Sequence, residues 1–227
     1  SGGHHNVVYG LDGFFRVVGL DFLTLNWAQA FDGPPLPAAG QPVELLDRSL
    51  LRLRWERRGQ DGLTYLLDLT RAGSAFNPGL GFLLRRDYAK ADFVVGHGWR
   101  PGRESRFLTY GVQLDGSVFR RNQADAVETI AVGPTVLIDT RHRHTFDLSV
   151  PFRYENLEAG FHLPGGISVP AGTYRFTSAT LRYGAPQGGR FRPNVVLEGG
   201  GCFGGRQASV SFIPSWNPSM HLSMGGA

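Results

Sequence analysis

The stretch "SLLRLRWERRGQDGLTYLLDLTRAG", Ser49 to Gly73, decides how the chain is read. Leu51, Leu53 and Trp55 alternate with Arg52, Arg54 and Glu56, so an extended backbone puts the apolar set on one face and the charged set on the other. Leu63, Tyr65, Leu67 and Leu69 then alternate with Thr64, Asp68 and Thr70. The Asp61-Gly62 step between the two runs predicts a hairpin.

The same period of two recurs outward from this pair. In "FLTYGVQLDGSVFRR", Leu108, Tyr110, Val112, Leu114 and Val118 share one face, and Thr109, Gln113, Asp115 and Ser117 share the other. In "HTFDLSVPFRYENLE", Phe146, Leu148, Val150, Phe152 and Tyr154 oppose Asp147, Ser149, Arg153 and Glu155. Such runs exceed the usual strand of about 5 to 6 residues and match the roughly 9 to 11 that a tilted strand needs to cross a bilayer. About a dozen segments of this kind are predicted, with no convincing period of 3.6. Short connections such as "RPGRES" and "DTRHRH" alternate with long ones such as "FDGPPLPAAGQPVE" and "LPGGISVPAG".

Composition narrows the class. The single cysteine, Cys202, leaves no internal disulfide framework and no multi-cysteine zinc site. No run of 18 apolar residues occurs, which excludes a transmembrane helix. A mean hydropathy of -0.16 is compatible with a transmembrane β-barrel, because lumen-facing polar residues offset lipid-facing apolar ones. The net charge of +4 is spread singly along alternating runs, so no nucleic-acid partner is expected.

The expected fold is all-β, an antiparallel up-and-down transmembrane β-barrel, incomplete, occupying residues 1–227 as one domain. An open twisted sheet of a dozen strands must curl, split or close, and closure removes both edges. The polar faces carry Arg52, Arg54, Asp68, Asp115, Asp147, Arg153 and Glu155 as lumen-lining candidates. Arg85, Arg86, Arg175 and Arg182 extend the arginine series. Two arrangements stay open: a wet lumen selecting solutes by charge, and a closed interior filled by Arg–carboxylate pairs. Trp27, Trp55, Trp99 and Trp216 are placed near strand ends, as interface aromatics.

Three stretches carry a resemblance: "FNPGLGFLLRRDYAKADFVVGHGWRPG" (Phe76 to Gly102), "GVQLDGSVF" (Gly111 to Phe119) and "HLPGGISVPAGTYRF" (His162 to Phe176). They resemble an outer-membrane barrel family, a domain of unknown function that follows a carbohydrate-binding-module-family-9-like domain in large bacterial surface proteins. The opening "NVVYGLDGFFRVVGLDFLTLNWAQAF" looks like strands of the same family. The resemblance implies a partial barrel wall in the bacterial outer membrane, with outer-membrane lipid and oligosaccharide as partners. It also implies that the upstream domain and the closing strands lie outside these residues, so the chain is expected to be an internal piece of a longer protein.

The expected function is a non-enzymatic, porin-like barrel segment that binds or passes polysaccharide-derived material. The alternative is a soluble all-β carbohydrate-binding module whose exposed aromatics, Trp27 and Trp99 among them, stack on sugar rings. Pro164, Gly165, Gly166, Pro170 and Gly172 cannot continue a ladder and predict a shaped loop. His4 with His5, and His142 with His144, lack a third ligand, so no metal and no cofactor are expected. "GGGCFGG" lacks the Lys-Ser/Thr of a phosphate loop and reads as a Gly-rich strand or hairpin. Asp21 and Asp32 read as loop punctuation, and no catalytic constellation is found.

Overall fold

A computed structural model describes residues 6–32, 45–59, 61–79, 85–163, 166–219 and 222–226. The strands in chain order are β1 (Asn6–Val18), β2 (Asp21–Asp32), β3 (Ser49–Arg57), β4 (Gly62–Ala72), β5 (Tyr88–Trp99), β6 (Phe107–Arg121), β7 (Ala126–Thr140) and β8 (Thr145–Ser149). There follow β9 (Phe152–Leu157), β10 (Phe161–Leu163), β11 (Ile167–Val169), β12 (Gly172–Gly184), β13 (Phe191–Cys202), β14 (Gly205–Ser219) and β15 (Leu222–Gly225). Thirteen of these form one antiparallel sheet in the order β1-β2-β3-β4-β5-β6-β7-β8-β12-β13-β14-β15, with β9 pairing β7 and β12. The described residues contain no helix.

β8 and β9 are two halves of one strand. Ser149 pairs Thr135 and Thr180, and Phe152 pairs Val132 and Thr177, so the register is unchanged across Val150 and Pro151. Pro151 has no N–H to give, and the ladder is interrupted there. Val150 N donates to Pro134 O at 3.0 Å, and Ser178 N donates to Pro151 O at 3.4 Å. Gly133 makes room for the break: a Cβ there would lie 2.3 Å from Val150 O and 2.5 Å from the Pro151 Cα.

Contacts divide the chain into two compact units, one of Ser1–Arg58, Leu66–Phe93 and Ser117–Glu128, the other of Gly59–Tyr65, Val94–Gly116 and Thr129–Ala227. Strands β4 to β7 contribute residues to both. In the first unit, rows of register run Leu11, Trp27, Leu51, then Asp12, Asn26, Arg52, then Gly13, Leu25, Leu53. Alternate rows are therefore apolar and polar, as the pleat requires. In the second unit, Thr135, Ser149 and Thr180 form one row, flanked by the row Val136, Leu148 and Leu181.

In β3, β4, β7, β8 and β12 the apolar positions are the more exposed ones. Leu53 and Trp55 are 36% and 46% exposed, while Glu56 and Asp68 are each 7% exposed. Val136, Leu148 and Leu181 are 38%, 43% and 36% exposed, against 7% and 8% for Thr135 and Thr180. Among the described residues the buried apolar side chains are Ala30, Ala72, Phe76, Val169 and Ala185, too small a set for the interior of a sheet sandwich. In these rows burial falls on the polar side of the pleat.

The shaped loop expected at the Gly-Gly stretch includes a short ladder of its own, β10 on β11, with His162 opposite Ser168. Gly166, at φ +80°, stands just before β11; Pro164 and Gly165 lie outside the described residues. "GGGCFGG" is the end of β13 and the turn into β14, with Phe203 and Gly204 both at positive φ. Asp21 and Asp32 are the end residues of β2 rather than loop residues, and Asp21 is buried with Arg57 Nη1 at 3.7 Å.

Candidate functional site on the charged face

Adjacent strands bring the charges of β3 and β4 together. Arg52 donates from Nε to Asp68 Oδ1 at 2.8 Å and from Nη2 to Asp68 Oδ2 at 2.5 Å, the two-pronged geometry that a guanidinium and a carboxylate share. Arg54 lies 3.9 Å from Asp68 Oδ2 and donates from Nε to Glu56 Oε2 at 2.9 Å. Arg58 completes the chain, donating from Nε to Glu56 Oε1 at 2.6 Å while its guanidinium covers the stacked rings of Phe14 and Phe22. Both carboxylates are buried; Glu56 accepts from Arg54 and Arg58, and Asp68 accepts from Arg52 with Arg54 as a more distant ion-pair partner. A carboxylate removed from water needs these donors to remain ionised.

The same unit continues this network. Asn26 Nδ2 donates to Asp12 Oδ1 at 2.7 Å, in the register row of Arg52. Lys90 pairs with Asp92 at 2.7 Å, and Lys90 and Arg85 both sit over the ring of Phe119. Glu128 receives Arg85 at 3.2 Å and Arg121 as well. Arg86 donates to Asn77 Oδ1 at 3.1 Å.

In the second unit the candidate carboxylates find hydroxyls and amides instead. Thr129 Oγ1 donates to Glu155 Oε2 at 2.8 Å, and Gln113 Nε2 donates to Asp115 Oδ1 at 3.1 Å. Thr109 Oγ1 donates to Asp139 Oδ2 at 2.7 Å. Asp147 stands opposite Arg182 in register. Arg153 stands between Ala131 and Phe176, and its buried Nε meets no hydrogen-bond acceptor among the described residues. The expected pairing of arginines with Asp68, Asp147 and Glu155 is therefore made at Asp68 by Arg52 and Arg54, and not by Arg153 at either of the other two.

Two assignments change. Arg175 is exposed on the face opposite Arg182, lying over the ring of Tyr154 at 5.8 Å. The two arginines are seven positions apart, an odd offset, so a period of two puts them on opposite faces. Trp27 sits in the middle of β2, packed edge-on to Tyr9 at 5.6 Å between centroids, and not at a strand end. Trp55 is near the end of β3, Trp99 ends β5, and Trp216 is near the end of β14 in register with Phe191 and Met224.

Sequence reading missed Arg58, Asp12, Asn26 and Glu128. The signal for Asp12 and Asn26 was present as parity within "YGLDGFF" and "TLNWA"; their pairing needed the register. Of the histidines, His144 Nδ1 lies 2.9 Å from the Tyr183 hydroxyl and its ring stacks on Tyr183. His4 and His5 lie outside the described residues. Among the described residues no group of three His, Cys, Asp or Glu side chains is placed to hold a metal ion. No family model, curated protein or solved structure matches the chain.

Proposed function

We propose that the chain is part of the wall of a bacterial outer-membrane β-barrel, non-enzymatic, with its apolar face against lipid and its charged face enclosed. One observation carries this reading. Leu53 and Trp55 are exposed while Glu56, next to Trp55, and Asp68 on the adjacent strand β4 are buried in a chain of ion pairs. Water would penalise that arrangement, since a broad exposed apolar face drives association. A hydrocarbon surround removes the penalty, and hydrogen-bonded strands satisfy the backbone that lipid cannot. Strands β1, β2 and β4 to β7, and β12 to β14, each hold 11 to 15 residues, enough to cross while tilted.

Within that reading the charged face governs what the enclosed space admits, and the resemblance supplies polysaccharide-derived material as its cargo class. The test is expression behind a secretion signal in a Gram-negative host. The protein should fractionate with the outer membrane, resist extraction by carbonate, and be recovered folded only in detergent. Recovery in the soluble periplasmic fraction as a folded monomer defeats the proposal.

A second reading, the soluble carbohydrate-binding module, is favoured by one feature. Trp99 and Tyr110 are exposed and stack with centroids 5.3 Å apart at 21°, with His97 4.5 Å from Trp99, a flat aromatic surface of the kind sugars stack on. Binding of soluble oligosaccharide that vanishes in Trp99→Ala, by a detergent-free monomer, selects this reading over the first.

A further inference from the structure

The apolar face of the first unit is not flat. It holds an open hollow of about 900 Å³ among β1 to β6, with an almost wholly apolar exposed lining, Leu11, Leu25, Leu53, Leu69 and Val118 on its walls and Trp27 beside them, and with Asp12, Asn26, Arg52, Thr70 and Lys90 also bordering it. Ala89 and Ala91 of β5 stand at its floor, where their short side chains leave the hollow open. Two arginines share this apolar face. Arg71 follows Leu67 and Leu69 in the alternation of β4, and Arg120 follows Leu114 and Val118 in that of β6; both line the hollow. β4 and β6 flank β5 and run in the same direction, so Arg71 and Arg120, each near a strand's final residue, lie at one end of the hollow with Ala89 between them. Neighbouring strands are spaced about 4.8 Å, which puts the two backbones about 10 Å apart, and two long guanidinium side chains can converge on a single group across that gap.

We infer that this hollow binds an anionic phospholipid, its acyl chain along the leucine wall and its phosphate between Arg71 and Arg120 above Ala89. The inference rests on the membrane reading and names the lipid chemistry the apolar face selects. Charge complementarity supports it, because a lipid-facing surface bears positive charge only where headgroups can meet it. The arginines already have partners that orient them. Arg71 donates from Nη1 to Leu46 O at 2.7 Å with Nη2 3.8 Å from Asp47 Oδ1, and Arg120 pairs with Asp125. Each carboxylate lies beyond a strand end and meets one of the two arginines, whereas a phosphate between them meets both.

Detergent-purified protein, reconstituted in phosphatidylcholine vesicles, provides the test. Tryptophan emission is quenched with brominated-chain phosphatidylglycerol or brominated-chain phosphatidylcholine, and Trp27→Phe supplies the blank. The Trp27 component should be quenched at an about tenfold lower mole fraction of the anionic lipid. Arg71→Gln with Arg120→Gln should abolish the preference without loss of insertion or strand content. Ala89→Leu, which fills the floor, should weaken quenching by both lipids and serves if the double variant does not fold. Equal quenching by the two lipids, or a preference that survives the double variant, overturns the inference while leaving the membrane reading in place. Loss of the preference on adding millimolar inorganic phosphate marks a free-anion site and overturns it too. Failure of the parent protein to insert at all removes both.

Discussion

Arg52 holds Asp68 with two hydrogen bonds, 2.8 Å from Nε to Oδ1 and 2.5 Å from Nη2 to Oδ2, while the leucines on either side of Asp68, Leu67 and Leu69, are exposed. The pleat forces this contrast: neighbours along a strand point to opposite faces, so a buried ion pair and an exposed apolar stripe follow from the same four residues. Removing Arg52 leaves a buried carboxylate with only the more distant Arg54. Because the Arg52 side chain is 41% exposed, the cost of Arg52→Gln is expected at about 1 to 2 kcal/mol, below that of a fully buried pair. Urea unfolding in detergent measures it. The double variant with Asp68→Asn should recover part of the loss, and strict additivity of the two single effects counts against a coupled pair.

Leu53→Arg separates the two functional readings. In a bilayer, an arginine near the middle of a lipid-facing strand costs about 2 to 4 kcal/mol. At an exposed site of a soluble module the same change stays within about 0.5 kcal/mol. Folding yield and unfolding midpoint of Leu53→Arg, compared with Leu53→Ala, decide between these outcomes.

The charged face makes a different prediction for conductance. If the complete protein forms a water-filled pore, Arg54→Gln and Arg58→Gln should move the reversal potential in a salt gradient toward cation preference, since lumen charges set selectivity. Planar-bilayer recording reads this directly. A parent protein that conducts nothing, together with variants that only lose stability, identifies the ion pairs as interior filling.

At Gly200 the backbone has φ +144°, and a Cβ would lie 2.6 Å from the Cα of Ser178 and from Thr177 O. Gly200→Ala therefore meets both an unfavourable backbone region and backbone atoms that cannot move aside. A loss of about 1 to 3 kcal/mol is expected. Gly102→Ala, where nothing stands within 4 Å, is the control, and equal effects of the two would contradict the close approach of β12 and β13.

Without detergent the chain is expected to aggregate, because many of its apolar side chains are exposed and β1 and β15 end the order of described strands. Light scattering after dilution from detergent checks this. A monodisperse, cooperatively unfolding sample in buffer would count against the membrane reading.

What the sequence determined by itself was the alternation of the long strands and the two chemistries of each. Leu51, Leu53 and Trp55 separate from Arg52, Arg54 and Glu56 through a period of two that is local, and local periodicity survives in any arrangement of the strands. The same rule also placed Arg175 and Arg182 on opposite faces, although an arginine tally had grouped them. Partnership lay beyond the sequence. That Asp68 takes Arg52 and Arg54, that Glu155 takes Thr129, and that β8 and β9 keep one register through Pro151 all depend on which strands adjoin and in what register. Alternation alone also left open which face would be buried, since it reads the same for a sheet greasy inside and one greasy outside. Only the tertiary arrangement buries Glu56 and Asp68 and leaves Leu53 and Trp55 exposed, because burial depends on which strands and side chains adjoin each face.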